Sequence, residues 1–402
     1  MTRLALILAL ASLFLAACQP QGRLTLKTTP IAAGADPVEN TPSPLAQFPT
    51  PLSPSPITPS PMPLSPLPSP PLAQLTPSPV FPISSTSRPP SPTSPPVTTL
   101  LFTGVIVPAR CVQAAIDASG NPDYPYEEVH QVIAGADLAI GTLNATISDY
   151  PPHTGCKPTY VLVGSPTNAD ALARAGFDMM SVATNHIKNC GLANCGYRAF
   201  YDTLDNLRRV GILPVGAGTN HAEAMQPVVV TVNGVRFGFV SLGQIEPMAF
   251  ATDARPGIAV LNEANIRIAI AAARQVSDVV IAMPHWGPED VSTPNWSQRE
   301  LAQQLVAAGA DVVVGNHTHV VQAEQQINGI QVFYGLGNFV FDQWPRDHQQ
   351  GVILLVRFVG AHYDGYEFIP THVDRDGRVH LASTDEAAEV LERIRLASDE
   401  LK

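Results

Sequence analysis

The 402-residue chain is poor in charge: Asp, Glu, Lys and Arg together make up 14% of it, against about a quarter in an average soluble domain. What charge there is leans acidic, with a formal net of −11. Ahead of Val97 the only charged residues are Arg3, Arg23, Lys27, Arg88, Asp36 and Glu39, so the remainder holds 19 basic and 32 acidic residues, net −13. A field of that sign repels phosphate backbones, which argues against a nucleic-acid partner. Chemical signatures are missing too. There is no Gly-x-Ser-x-Gly elbow, no Walker loop and no dinucleotide fingerprint, so serine-hydrolase, P-loop and Rossmann chemistries lack their markers. Cysteine is scarce, with five in all, and the spacings fit no common structural zinc pattern.

Proline, by contrast, is abundant and uneven. Residues 41–99 contain 21 prolines and residues 100–402 only 16. Runs such as Thr41-Pro42-Ser43-Pro44 and Pro68-Ser69-Pro70-Pro71 lack donors, favour polyproline II and cannot bury a core. At about 3.1 Å per residue, some sixty such residues reach on the order of 190 Å. Three parts are expected: residues 1–18 as a lipoprotein signal, 19–98 as a disordered tether, and 99–402 as one domain with a sizeable core. The first part starts with Arg3, continues with the apolar Leu4 to Leu15, and ends Leu15-Ala16-Ala17-Cys18. That apolar stretch is too short for a span of roughly 20 residues and fits a secretory signal. Small residues before Cys18 resemble a bacterial lipobox, with Cys18 lipidated and the domain held outside the cell membrane. An ordinary signal peptide with an incidental Cys18 is the alternative. In an exported domain Cys111, Cys156, Cys190 and Cys195 could form two disulfides. Cys190 and Cys195 close a short loop and are the first pair; Cys111 with Cys156 follows by default.

From residue 99 on, short apolar runs alternate with helix-like stretches. Strands are expected at Thr99 to Gly104, Asp137 to Gly141, Phe177 to Ala183, Ile212 to Val215, Asp278 to Met283, Asp311 to Gly315, Ile330 to Tyr334 and Val352 to Phe358. Val228 to Val232 and Val235 to Leu242 flank Asn233-Gly234, a hairpin signal. Helices are expected at Tyr126 to Ala134, Pro166 to Ala175, Tyr197 to Val210, Ala264 to Gln275, Ser297 to Ala308 and from Asp385 on. This alternation specifies an α/β fold, and the hairpins require a mixed sheet or two packed sheets.

Polar residues follow the strands. After successive runs come Thr184-Asn185-His186, His285-Trp286-Gly287, Asn316-His317-Thr318-His319 and Gly335-Leu336-Gly337-Asn338. In open α/β sheets the carboxyl ends of strands form the ligand crevice. Imidazoles and amide oxygens delivered there suit a borderline divalent metal such as Mn, Zn or Fe.

Leu100 to Asp342 resembles the CapA family, named for capsule and poly-γ-glutamate synthesis, and in turn calcineurin-like metallophosphoesterases. The matching segments include Ala136-Asp137-Leu138, Gly176-Phe177-Asp178, Asn185-His186, His285-Trp286-Gly287-Pro288-Glu289, Ala308-Gly309-Ala310-Asp311 into His317-Thr318-His319, and Leu336-Gly337-Asn338-Phe339 with Asp342. The resemblance implies a four-layer α/β/β/α sandwich of metallophosphoesterase type with a metal site at the strand ends. It implies Asn185, His285 and His317 as metal ligands and His319 at or beside a second metal. His186 would be a general acid, and Glu289 a catalytic-site carboxylate just behind the metal ligands or facing the substrate. Asn144, Asn316, Asn338 and Trp286 are the candidate substrate-binding residues; Trp286 could stack on sugar or pack in the core.

Two positions depart from the family pattern. Gly104-Val105 stands where Gly-Asp is usual, and Thr142-Leu143-Asn144 where Asn-Leu-Glu is usual. Neutral His and Asn do not offset the repulsion of two dications, so one ion is expected rather than two. Asp149, Glu246 and Asp342 are candidates to replace the lost charge. Two functions follow: a lipid-anchored, metal-dependent hydrolase or transferase acting on a cell-envelope polymer, or a catalytically degenerate relative that binds or organises one.

Overall fold

The computed structural model describes residues 95–188 and 197–402. Cys18, the Pro-rich stretch up to residue 94 and the Cys190–Cys195 pair lie outside the described residues. The first half of the domain runs β1 (Val97–Ile106), α1 (Cys111–Ser119), α2 (His130–Ile133), β2 (Leu138–Leu143), β3 (Thr146–Ile147), β4 (Val163–Gly164), α3 (Thr167–Ala175), β5 (Met179–Ser181), α4 (Arg198–Arg209), β6 (Leu213–Val215) and β7 (Ala217–Gly218). Next come α5 (His221–Ala224), β8 (Val228–Val232), β9 (Val235–Gly243), β10 (Gly257–Ile258), α6 (Glu263–Val276), β11 (Val279–His285), α7 (Trp296–Ala308) and β12 (Val312–Val314). The chain finishes with β13 (Glu324–Ile327), β14 (Ile330–Phe333), β15 (Asn338–Val340), β16 (Gln350–Val359), β17 (His362–Val373), β18 (Val379–Leu381) and α8 (Thr384–Asp399).

Two large sheets result. One has eight strands, in the order β18-β17-β16-β1-β2-β5-β6 with β15 paired to β1; the other has six, in the order β13-β14-β12-β11-β9-β8. Their residues sort by the two-residue period of a strand. Leu100, Phe102, Leu138 and Ile140 of the first sheet pack against Phe237, Phe239, Val279, Ile281, Val312 and Val314 of the second. The intervening positions face outward. Leu101 and Ala139 meet Val112, Leu172 and Phe200 of α1, α3 and α4. Val240, Val280, Ala282 and Val313 meet Ile266, Ile270, Leu301 and Leu305 of α6 and α7. The order is therefore helices, sheet, sheet, helices. Each fully buried Phe between the sheets contributes on the order of 1.5–3 kcal/mol. The apolar runs read from sequence are continuous because both faces of their strands are covered.

Side-chain capping marks the start of α6 and α7. Asn262 accepts from the Asn265 amide at the start of α6, and Asn295 and Gln298 form a reciprocal capping box on α7. The expected helix over Tyr126 to Ala134 is shorter, with only His130–Ile133 helical and the preceding residues in turns. Among the described residues, no helix is long and apolar enough to cross a membrane.

β1 is the strand that matters for the site. Along Val97–Phe102 it pairs antiparallel with β16; from Val105 it pairs parallel with β15. The exchange occurs at Gly104, where a Cβ would lie 2.1 Å from the Gly337 carbonyl oxygen, so only glycine allows the two backbones to meet.

Candidate functional site

The carboxyl ends of both sheets meet at one rim. Asn185 and His186 leave the turn after β5, His285 closes β11, His317 and His319 follow β12, and Asn338 opens β15. A parallel bridge between His285 and Asn316 extends the β11–β12 pairing into the rim. His317 and His319 both have left-handed backbones, with φ of 114° and 61°. Non-glycine residues avoid that region, at a cost of order 1–3 kcal/mol each when held there.

Three donor atoms converge. His285 Nε2 lies 2.9 Å from Asn185 Oδ1 and 3.1 Å from His317 Nδ1. His285 and His317 are buried, their ring centroids 4.7 Å apart. Burial pushes the His285 imidazole well below its ordinary range and His317 down to about 3, with neighbouring imidazoles adding to both shifts. Both rings are therefore neutral near pH 7 and can present lone pairs. Such lone-pair atoms crowded within hydrogen-bond distance fit a single borderline cation. Asn185, His285 and His317 would hold it. Nδ1 of His285 is buried and has no hydrogen-bond partner among the described residues, so this ring lacks the orienting acceptor usual for a metal-bound imidazole.

His319 is set differently. Asn338 Nδ2 donates to Gln343 Oε1 at 2.8 Å and to the His348 carbonyl at 2.9 Å. A carbonyl only accepts, so the amide orientation is fixed and Asn338 Oδ1 faces His319 Nδ1 at 2.8 Å. His319 therefore donates from Nδ1 and turns Nε2 toward Glu289, whose Oε1 is 3.7 Å away. At that separation the contact is electrostatic rather than a hydrogen bond. The His319 imidazole beside it holds Glu289 down, to about 2. His186, mostly buried, is pushed down to about 4 by desolvation and by His319. It is uncharged at neutral pH, so a general-acid role requires it first to take up a proton.

Neither departure from the family pattern is repaired nearby. Val105 is buried in the helix-side core. Asn144 uses its Oδ1 to accept the His186 backbone N–H at 3.0 Å, which leaves its NH2 group, not its oxygen, unpaired. Asp342 does not replace the lost charge: its carboxylate is clamped by Arg110, with Nε at 3.2 Å and Nη2 also in contact, and accepts from the Cys111 amide at 3.1 Å. Asp149 pairs with Arg198 on the surface, and Glu246 is exposed. Among the described residues no group of three or more His, Cys, Asp or Glu is arranged to hold a metal. Asn185, His285 and His317 bring three uncharged donors together, and Glu289 stands 3.9 Å from His317.

The candidate substrate-binding residues are used structurally. Trp286 is 0% exposed and donates from Nε1 to the Tyr334 carbonyl at 2.9 Å; it is a core residue and cannot stack on sugar. Asn316 donates to Thr142 Oγ1 at 2.7 Å and to the Thr103 carbonyl at 3.3 Å, which ties the two sheets together and leaves its Oδ1 without a partner among the described residues. Asn338 orients His319, and Asn144 orients the His186 backbone. Cys111 and Cys156 are joined by a disulfide. Sequence reading missed Arg110, His348 and Tyr160. The one available signal was a lone cation, Arg110, directly after a buried strand.

The layer order and the rim site define a mixed α/β protein, a four-layer sandwich with polar residues gathered at the strand ends. The chain belongs to the bacterial capsule synthesis protein PGA_cap family, whose profile matches residues 99–343. It is 27% identical over 285 residues to the PGA biosynthesis protein CapA of Bacillus subtilis, covering 68% of this chain and 73% of that one. It is 29% identical over 265 residues to the capsule biosynthesis protein CapA of Bacillus anthracis, covering 63% and 62%. A probable polyglutamine synthesis accessory protein of Mycobacterium tuberculosis is 26% identical over 261 residues, covering 60% and 65%. Solved structures with a loose likeness include a novel phosphatase of Mycoplasma pneumoniae (TM-score 0.43, 10% identity, 69% of this chain and 94% of that one) and the NAD nucleotidase of Haemophilus influenzae (0.44, 12%, 76% and 56%).

Proposed function

We propose that this chain is a lipid-anchored, extracytoplasmic accessory of capsule or poly-γ-glutamate synthesis that acts on the envelope polymer as a hydrolase or transferase with one divalent cation. The observation that carries the chemistry is the convergence of Asn185 Oδ1, His285 Nε2 and His317 Nδ1. When bound there, the ion would polarise a carbonyl or phosphoryl oxygen of the polymer as a Lewis acid. His186 then takes a proton at its ring nitrogen from the attacking group and returns it to the leaving group. Glu289, its side chain 47% exposed, faces His319 from the open side and sets the charge that a substrate meets. The family membership and the capsule-related names of the relatives support the substrate class. The Leu15-Ala16-Ala17-Cys18 sequence supports the anchor.

A specific observation favours a second reading, in which the chain binds or organises the polymer without chemistry. The positions of both missing carboxylates are filled by Val105 and by an Asn144 amide already in use. Metal content separates the two. Full chain purified with Mn, Zn and Fe supplied is expected to carry about one ion, lost in His285→Ala and His317→Ala with the fold intact by circular dichroism. Wild type free of metal under those conditions leaves only the second reading.

A further inference from the structure

Tyr160 lies between β3 and β4, in a segment with little regular structure. Its residue is 78% exposed, yet its ring lies 8° from parallel to the His186 ring, with centroids 6.4 Å apart. That separation is within the range of aromatic pairs. The segment is tied down close by. Cys156 is bonded to Cys111. Arg110 donates from Nη1 to the Thr159 carbonyl at 3.0 Å, and the Val161 amide donates to Thr159 Oγ1 at 3.1 Å. Arg110 is itself fixed: its guanidinium lies over the Phe341 ring at 5.0 Å and is clamped by Asp342. A continuous set of contacts thus runs from the end of β15, through Asp342, Arg110 and Thr159, to Tyr160 and the His186 ring.

We propose that Tyr160 is a positioning residue for His186, and that the Cys111–Cys156 bond and the Arg110–Thr159 hydrogen bond are what place it. A parallel aromatic neighbour limits how the His186 ring can turn. Arg110 also explains why an exposed tyrosine holds one place: the backbone one residue away is bound to a guanidinium that is anchored at the site's own strand. The proposal rests on reading His186 as the proton-transferring group at this rim.

The test uses full chain labelled with 13C-histidine, the His186 ring signals being assigned with His186→Gln. Tyr160→Phe keeps the ring and should leave the His186 signals in place. Tyr160→Ala should shift them, and Cys111→Ser/Cys156→Ser should shift them the same way. Poly-γ-glutamate cleavage, followed by chain length, should fall about tenfold in kcat for Tyr160→Ala with KM changed less, and should be retained in Tyr160→Phe. Unmoved His186 signals in Tyr160→Ala overturn the proposal, as does a shift spread over all the histidines. Wild type without cleavage, but with the His186 signals shifted by Tyr160→Ala, supports the placement and counts against the catalytic reading instead.

Discussion

At the scale of single residues, the ion pair Arg110–Asp342 shows how the rim is held. The side chains are 16% and 4% exposed, so each charge depends on the other. Removing one partner of such a pair costs about 3–5 kcal/mol, whereas replacing both with apolar groups is often neutral. Asp342→Asn is expected to lower the urea midpoint strongly, and Arg110→Met/Asp342→Leu to recover most of the loss. Equal midpoints for Asp342→Asn and wild type would show that solvent reaches the pair. The same residue shows what sequence could not say. Asp342 comes after a buried strand just as His317 does, and pattern alone leaves it a candidate for the lost charge; only the fold shows Arg110 in front of it, 232 positions away. Trp286, open in sequence between sugar stacking and core packing, lies in the core. Its neighbour His285 points to the rim, and consecutive residues at a strand end face opposite ways.

At the scale of elements, the strands with both faces covered were legible, because burial on two sides leaves an unbroken apolar run. β17 was not. Its twelve residues alternate irregularly between exposed and half-buried, and it includes His362, Asp364, Glu367 and Pro370. α1 also escaped notice, starting at the disulfide-bonded Cys111 without a side-chain cap. The β17–β18 hairpin carries a titrating latch. His372 and His380 sit directly opposite each other. His380 contacts Glu128 and Asp374, each at 2.7 Å, and His372 contacts Glu386 at 2.9 Å. Desolvation lowers the His380 pKa, but its bonds to Glu128 and Asp374 outweigh this, and the net shift is upward. A raised folded value stabilises below the unfolded value of about 6.5 and is lost as pH climbs through the folded value. The lead in melting temperature of the wild type over His380→Gln should therefore shrink by about 1–2 °C between pH 6 and 8.5, on top of a rise common to both, since His186, His285 and His317 are held uncharged in the fold. A lead that stays constant over that range would assign the change to other groups.

At the scale of the whole molecule, the tripartite layout was read from composition: an apolar start, a proline-rich stretch and an acidic domain. The four-layered order was legible through the resemblance to the CapA family, and the meeting of His and Asn residues at one rim through strand ends, which in α/β sheets face one way. That the rim lacks two carboxylates usual in the family was legible in the sequence, and the structure adds that Asp342 and Asp149 are committed to Arg110 and Arg198 while Glu289 faces the imidazoles. The proposed anchor belongs to this scale. Palmitate labelling of cells is expected to mark the wild type and not Cys18→Ala, with the variant released into the medium. Equal label in both would remove the lipid from the account.

The left-handed turns at His317 and His319 have one more consequence. Because the main chain rather than rotamer choice aims these rings, the rim is a rigid mould and not a set of arms that close on a guest. On the proposed function, a polymer segment would find little to reorganise there, and its stay would be governed by how well its own loose links conform to a shape fixed in advance.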